Sequence, residues 1–139
     1  IIEGLKDGTL DCIITDHAPH HEDEKKVEFA LAMNGISGIE TSFAVTNTYL
    51  IKTGELTMEQ VVMAMSCNPA RILKLEGGVI EKGKPADITI VDENKKWTVD
   101  TEKFESKGKN CIFADMELTG KAAYTIVDGK VVLDNYRLK

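Results

Sequence analysis

Cysteines, basic residues and long apolar runs are all scarce in this 139-residue sequence. Its three cysteines, Cys12, Cys67 and Cys111, are widely spaced and include no C-x-x-C pair. An odd, scattered set of this kind excludes a disulfide framework and a zinc knuckle. We therefore expect reduced thiols in a cytoplasmic protein.

The charge balance and the hydropathy exclude two further classes of protein. Lys and Arg number 17 against 23 Asp and Glu, for a net charge of −6, whereas a nucleic-acid-binding domain carries a basic patch. The apolar runs are far shorter than the ~20 residues of a transmembrane helix, and no cationic amphipathic stretch is present to bind a membrane surface. The 42% of hydrophobic residues suits a folded domain with a core.

The apolar pattern predicts one strand and several helices, followed by β-structure. Residues 10–16 form a short apolar run that ends at a carboxylate, which is typical of a buried parallel strand, and residues 17–37 are then a long loop. Helices are predicted over residues 39–52, from a capping box at Thr57, and from Asn68, which we expect to cap a helix with proline in first position. Strands are predicted over residues 86–92 and 97–99, and over 121–127 and 130–133 around Asp128-Gly129.

Asp16 and all three histidines of the chain lie within the segment T-D-H-A-P-H-H at residues 15–21. Pro19 disfavours helix at the residue before it, so the histidines lie on an extended loop. Three interpretations stay open. Asp16 could ligate a metal and act as general base while a histidine binds an anionic substrate group; the cluster could form a closed local metal site; or the loop could be a solvated one, capped by hydrogen bonds to Asp16.

Two neighbouring patterns carry less information. The charge run at residues 22–26 indicates a solvated loop face. The G-x-x-G at residues 35–38 is too short to predict a phosphate cradle, although its backbone N–H groups could approach an anion. Glu40 is expected in the first turn of the following helix.

Residues 11–20, D-C-I-I-T-D-H-A-P-H, resemble the end of the last barrel strand in bacterial-type dihydroorotases of the amidohydrolase superfamily. The likeness continues through residues 29–41 and along nearly the whole chain. Further matches are N-P-A at 68–70, G-K-P-A-D-I-T-I-V-D at 83–92, Trp97, S-K at 106–107, and Y-T-I-V-D-G-K at 124–130. Met33 and Asn34 depart from the family, which usually has Pro and a bulky hydrophobic residue there.

The resemblance implies an α/β fold in two parts. Residues 1–75 would hold the last strand and helices of a (β/α)8 TIM barrel, and residues 76–139 the C-terminal part of a small accessory β-sandwich. In the family an H-x-H pair, a carboxylated lysine and two further histidines precede the position of Asp16 and ligate the metal. The chain begins at Ile1 without them, so we expect a C-terminal segment of a longer enzyme, inactive by itself.

The resemblance also implies a reaction and its residues. The reaction is the zinc-dependent, reversible hydrolysis of the cyclic amide of dihydroorotate to N-carbamoyl-aspartate, in pyrimidine biosynthesis. Asp16 would contact the zinc site, take a proton from the bridging hydroxide and return it to the leaving amide nitrogen. His20 would bind the substrate carboxylate, helped by the backbone around Asn34 and Gly35.

Three alternatives accompany this interpretation. The parent protein could be a related cyclic amidohydrolase, such as a dihydropyrimidinase or an allantoinase. It could be a non-catalytic dihydroorotase-like subunit that assembles with aspartate transcarbamoylase, although the presence of Asp16 and His20 favours an enzyme. The chain could also be an independent module, which would leave strand edges exposed. The expected partners are the small-molecule substrate, the N-terminal part of the same protein and a second copy in a homodimer.

Overall fold

The computed structural model covers residues 1 to 139 and contains five α-helices and one antiparallel sheet. The helices are α1 (Ile2–Asp7), α2 (Glu22–Lys25), α3 (Ser42–Thr46), α4 (Met58–Val62) and α5 (Asn68–Leu73), with π-helical segments at Asn47–Ile51 and Met63–Cys67 and a 3-10 turn at Thr101–Lys103. The strands are β1 (Ile88–Thr98), β2 (Glu117–Val127), β3 (Lys130–Asp134) and β4 (Arg137–Leu138). The mixed α/β class is confirmed. None of the helices has the length and apolarity to cross a membrane.

The helix predicted from the capping box at Thr57 is confirmed. The Gln60 N–H donates to Thr57 Oγ1 at 3.2 Å, and the Thr57 N–H donates to Gln60 Oε1 at 2.9 Å. The predicted cap at Asn68 is wrong, because α4 runs through the π-helical segment into α5 and Asn68 itself has helical φ and ψ angles of −66° and −45°. Its side-chain amide instead donates to the Asp11 carbonyl at 2.9 Å and so ties α5 to the segment before the loop.

The strand predicted over residues 10–16 is also wrong. This segment belongs to no sheet, and one isolated parallel bridge, between His17 and Ile36, follows it. A helix holds it in place, since the Ile13 N–H donates to the Ala64 carbonyl at 3.0 Å. Parallel strands need hydrogen-bonding neighbours, and the chain places no strand beside these residues, so apolar composition alone does not produce one.

The sheet has the strand order β1-β2-β3-β4 and every neighbouring pair is antiparallel. The two short strands predicted at residues 86–92 and 97–99 form one strand, β1, which is interrupted by a bulge between Asp92 and Lys96. The predicted Asp-Gly turn between β2 and β3 is confirmed. Asp128 and Gly129 have φ angles of 48° and 72°, and two positive φ angles are what a type I′ turn requires.

The hydrophobic core joins α3 to strand β2 and to the segment that connects β1 with β2. Ala44 of α3 packs in one cluster with Val99, Phe104, Cys111 and Leu118. Val99 and Leu118 are fully buried, and burial of side chains of this size contributes ~1.5–3 kcal/mol each. The cluster takes residues from both sides of residue 75, and the division of the chain at that point stays a prediction.

Polar bonds join the π-helical segment that follows α3 to strand β2 and to the β1 bulge. Asn47 is fully buried, and its Nδ2 donates to the carbonyls of Thr119 at 2.7 Å and Glu93 at 3.0 Å. Thr48 Oγ1 accepts from the Thr119 N–H at 2.8 Å and donates to the Thr119 carbonyl at 3.2 Å. These bonds satisfy part-buried backbone groups, whose loss of hydrogen bonds to water would otherwise cost free energy.

Candidate active-site loop

Two loop segments, residues 16–20 and residues 34–38, lie side by side. The Ala18 N–H donates to the Ile36 carbonyl at 3.0 Å, next to the bridge between His17 and Ile36. The contact is closest at Gly35, which has a φ of 120°; a Cβ atom there would lie 2.6 Å from the Ala18 Cβ and 3.5 Å from His20 Cδ2. Glycine is therefore required for the approach, and the structure brings the predicted residues His20 and Gly35 together.

His17 holds the second segment through its ring. Its Nδ1 accepts hydrogen bonds from the Gly38 N–H at 3.1 Å and, more weakly, from the Ile39 N–H at 3.4 Å. A nitrogen that accepts these bonds carries no proton. His17 therefore anchors the loop just ahead of α3.

Asp16 and Asn34 are both exposed to solvent. Asp16 has a φ of 43°, in the left-handed region that aspartate and asparagine tolerate better than most residues. This backbone conformation turns the chain sharply between the apolar segment and His17. The predicted catalytic and substrate-binding roles of these residues stay predictions.

His20 faces a carboxylate from α2. Its Nδ1 lies 3.4 Å from Glu24 Oε2, and the same oxygen accepts the His21 N–H at 3.2 Å. His21 caps α2, since its Nδ1 accepts the Asp23 N–H at 3.3 Å. Each of the three histidines thus has its own local partners.

The histidine cluster does not form a closed metal site. No group of three or more His, Cys, Asp or Glu side chains in the chain could hold a metal ion, whereas a structural zinc site needs four ligands and a catalytic one three. The interpretation of residues 15–21 as a self-contained site is therefore wrong. A carboxylate such as that of Asp16 can supply at most one ligand of a larger set.

The charge run at residues 22–26 is not a purely solvated face, contrary to the sequence prediction. Lys25 is half-buried, and its Nζ donates to the Gly35 carbonyl at 3.0 Å and to the Met33 carbonyl. Asn110 Nδ2 donates to the same Gly35 carbonyl at 3.3 Å, and the Ser37 N–H donates to the Asn110 carbonyl at 2.8 Å. No local pattern reveals these contacts, because they join residues 8 to 75 positions apart.

Glu40 lies in the turn before α3 and not, as the sequence predicted, in the first turn of the helix. Its carboxylate accepts the backbone N–H groups of Glu105 at 3.1 Å and Ser106 at 3.0 Å. The segment 105–106 is in this way fixed to the chain just before α3. The resemblance at residues 106–107 was the sequence feature that pointed to this region.

A groove of about 1020 Å³ separates the loop from one face of the sheet, and His17, Trp97 and Lys121 are among its lining residues. Lys121 Nζ lies 4.5 Å from the centre of the Trp97 ring. Burial lowers the pKa of Lys121, and the positive charges of Lys95 and Lys103 act in the same direction. The groove is thus bordered by a partly desolvated cation and an aromatic ring.

Comparison with known proteins identifies the family to which the chain is similar. The sequence model of the amidohydrolase family matches residues 1–132. The chain is 53% identical over 133 residues to a dihydroorotase of Acetivibrio thermocellus, with 96% of this chain and 31% of that protein covered. It is 56% identical over 131 residues to a dihydroorotase of Caldanaerobacter subterraneus subsp. tengcongensis, with 94% and 30% covered.

The solved structures agree at the level of the fold. An L-hydantoinase (dihydropyrimidinase) from Arthrobacter aurescens matches 99% of this chain and 32% of its own with a TM-score of 0.92 and 30% identity. A D-hydantoinase from Thermus sp. matches with a TM-score of 0.89 and 26% identity, again over 99% of this chain. The chain spans about a third of the length of these relatives. It belongs to the amidohydrolase family.

Proposed function

We propose that the protein containing this chain is a dihydroorotase, which hydrolyses the cyclic amide of dihydroorotate to N-carbamoyl-aspartate and catalyses the reverse closure. The observation that carries the proposal is the identity of 53% and 56% with two dihydroorotases along nearly the whole chain. The identity with the L-hydantoinase is 30%. The preference for dihydroorotate is thus inferred from sequence identity, since the fold match is to a hydantoinase and does not identify the substrate.

The reaction needs a group that moves a proton. Water adds to the ring carbonyl, the carbon–nitrogen bond of the amide breaks, and the leaving nitrogen must receive a proton. We assign this transfer to Asp16, which would take the proton from the attacking water and deliver it to the nitrogen. Its exposure and its position directly before the anchored His17 support the assignment.

The substrate also carries a carboxylate, which requires hydrogen-bond donors. We assign its binding to His20 and to the backbone at Asn34 and Gly35. The packing of residues 16–20 against residues 34–38 supports this, because it puts the His20 ring beside Gly35. With Nδ1 facing Glu24, the ring nitrogen left for a ligand is Nε2.

We propose zinc as the metal, with Asp16 as one of its ligands. A carboxylate oxygen is a suitable zinc ligand, but this chain has no set of three, so its residues do not hold the ion by themselves. The remaining ligands would come from the rest of the protein.

The architecture of the whole protein follows the same proposal. Residues 1–75 would complete a (β/α)8 TIM barrel and residues 76–139 a small β-sandwich. The segment 10–16 would then obtain its strand neighbours from the rest of the barrel, and large apolar side chains such as Ile14 and Phe29, 79% and 98% exposed, would find cover there. The relatives, about three times as long as this chain, have room for such a barrel.

The cellular setting is also part of the proposal. We place the protein in the cytoplasm and in pyrimidine biosynthesis, with a homodimer and an assembly with aspartate transcarbamoylase as candidate oligomers. The three unpaired cysteines suit a reducing compartment.

Substrate profiling of the zinc-loaded, full-length protein tests the proposal. Dihydroorotate, dihydrouracil, hydantoin and allantoin are supplied separately, and the ring-opened products are quantified by chromatography. We expect dihydroorotate to have the highest kcat/KM, because it alone offers the ring carboxylate for His20. Faster turnover of dihydrouracil or hydantoin would establish the second candidate, a dihydropyrimidinase, which is the class of the solved structure that matches with a TM-score of 0.92. Absence of turnover on every substrate would favour a non-catalytic subunit.

A further inference from the structure

We infer that α2 is the positioning element of the substrate-binding loop, with Lys25 setting the backbone at residues 33–35 and Glu24 orienting His20. The inference rests on the proposed function and extends it to residues outside the binding set. It concerns side chains that touch the loop and not the substrate, so both are positioning residues.

Lys25 reaches the loop with a charged donor. Its Nζ donates to the Gly35 carbonyl at 3.0 Å and to the Met33 carbonyl, which lie on either side of Asn34. Hydrogen bonds from an ammonium group are stronger than those between neutral groups. Since Lys25 is half-buried, water competes less for these bonds than at an exposed lysine.

The hydrogen bond from Lys25 to the Met33 carbonyl determines the direction of the Asn34 N–H. The chain contains no cis peptide bond, and in a planar trans peptide the C=O and the following N–H point in opposite directions. The Met33 carbonyl and the Asn34 N–H belong to one such unit. Lys25 therefore turns the Asn34 N–H away from its own ammonium group, and its bond to the Gly35 carbonyl does the same for the Ile36 N–H.

Glu24 orients His20, the side chain that we assign to the substrate carboxylate. Its carboxylate lies 3.4 Å from His20 Nδ1 and accepts the His21 N–H at 3.2 Å, while its carbonyl accepts the Met33 N–H at 3.2 Å. A carboxylate at Nδ1 fixes which ring nitrogen faces a ligand. One helix of four residues thus contacts both the histidine and the loop that we assign to the substrate carboxylate.

The neighbouring residues provide matched controls. Lys26, which directly follows α2, carries the same charge, but it is exposed and pairs with Glu22. Asp23 carries the same charge as Glu24, but it lies beside His21, which is itself exposed. Neither control residue forms a hydrogen bond or an ion pair with residues 33–35 or with His20.

The test compares Lys25→Met, Lys25→Arg, Lys26→Met, Glu24→Gln and Asp23→Asn in the zinc-loaded, full-length protein. We expect Lys25→Met to raise the KM for dihydroorotate about tenfold or more with a smaller change in kcat, since misplaced binding groups weaken binding and orientation. Lys25→Arg should restore most of the affinity, and Lys26→Met should have no effect. Glu24→Gln should raise KM and Asp23→Asn should not.

Turnover of dihydrouracil separates positioning from general stability, because this analogue lacks the carboxylate. We expect Lys25→Met to reduce the preference for dihydroorotate over dihydrouracil while the thermal midpoint stays within a few degrees of the wild type. An unchanged preference, or equal loss on both substrates with a lowered midpoint, would overturn the inference while leaving the proposed function intact. A wild-type protein that does not turn over dihydroorotate would instead remove the proposed function, and this inference with it.

Discussion

Asp16 is the residue on which the proposed chemistry depends most directly. Asn in its place keeps a side chain that tolerates the φ of 43° but cannot transfer a proton. In the full-length protein we expect Asp16→Asn to lower kcat about 100-fold or more, in line with the contribution of general acid–base catalysis. Steady-state kinetics with dihydroorotate would measure the loss.

Asp115 offers the matched substitution. It is also exposed and has a φ of 63°, but it lies in the turn before β2. Asp115→Asn should leave kcat unchanged. Equal activity of both variants, with equal thermal midpoints and full zinc content, would contradict the role of Asp16.

Gly120 controls how closely β2 approaches the helical part of the chain. A Cβ atom there would lie 2.7 Å from Asn47 Nδ2 and 3.0 Å from Phe43 Cε1, on a backbone with a φ of 104°. We expect Gly120→Ala to lower the free energy of unfolding by about 2 kcal/mol or more, since strain and overpacking act together. Gly129→Ala adds a Cβ with no atom within 4 Å, at a φ of 72°, and should cost less. Urea unfolding of both variants would show the order, and a larger loss at Gly129 would be the contrary result.

At the scale of elements, one side-chain bond ties the turn after β3 to β1. The Tyr136 hydroxyl donates to Asp92 Oδ2 at 2.9 Å, and the Asn94 N–H donates to Asp92 Oδ1 at 3.0 Å. The Asn94 N–H and, next, the Tyr136 hydroxyl hold the pKa of Asp92 below its ordinary value of 3.8. A lowered carboxyl pKa stabilises the fold above that ordinary value, and the stabilisation is lost as the pH falls through the folded-state pKa.

Tyr136→Phe should therefore destabilise the protein near neutral pH and lose this effect in acid. Thermal midpoints of wild type and variant, measured above and below pH 3.8, would converge at the lower pH. Tyr124→Phe, at a tyrosine that is also on the sheet and 38% exposed, should give no pH-dependent difference. A constant gap between wild type and Tyr136→Phe across this range would count against the assigned bond.

The elements that the sequence predicts well are those whose causes lie within a few residues. The capping box at Thr57 and the turn at Asp128-Gly129 are fixed by bonds and φ preferences over two to four positions. The strand over residues 10–16 fails because its partners would have to come from other strands. Asn68 fails as a cap because the helical backbone continues into it from the preceding π-helical segment, and its amide bonds instead to Asp11, 57 positions away.

The residues of the candidate site also fall into two groups, those that the sequence reveals and those that only the structure reveals. The segment around Asp16 and His20 stands out by composition alone, since it holds every histidine of the chain. The contributions of Lys25 and Asn110 depend on how distant segments meet, and a charge run gives no indication of which lysine folds inward. Sequence thus locates the reactive groups, whereas the structure is needed to find what holds them.

At the scale of the whole molecule, the most prominent feature is exposed apolar surface. Phe29, Ile80 and Ile14 are 98%, 88% and 79% exposed, and large apolar side chains in this state gain free energy when another surface covers them. We expect the isolated 139-residue segment to self-associate and to bind a hydrophobic dye. Co-expression with the remaining part of the full-length polypeptide should suppress both, as measured by light scattering and dye fluorescence.

Polar substitutions at these three positions should have opposite effects on the isolated segment and on the full-length protein. The triple variant Phe29→Ser, Ile80→Ser, Ile14→Ser should reduce self-association of the isolated segment but lower the thermal midpoint of the full-length protein. A monodisperse isolated segment without dye binding would show that the surface needs no cover.

The Thr48 hydroxyl bonds both backbone groups of Thr119, the β2 residue that pairs with Lys96 at the edge of the β1 bulge. This has a consequence for building chimaeras between family members. A crossover at residue 75 would join the Thr48 of one parent to the bulge and β2 of another. A crossover before residue 42 would move Thr48 and Thr119 together, so that this pair of bonds is inherited from one parent.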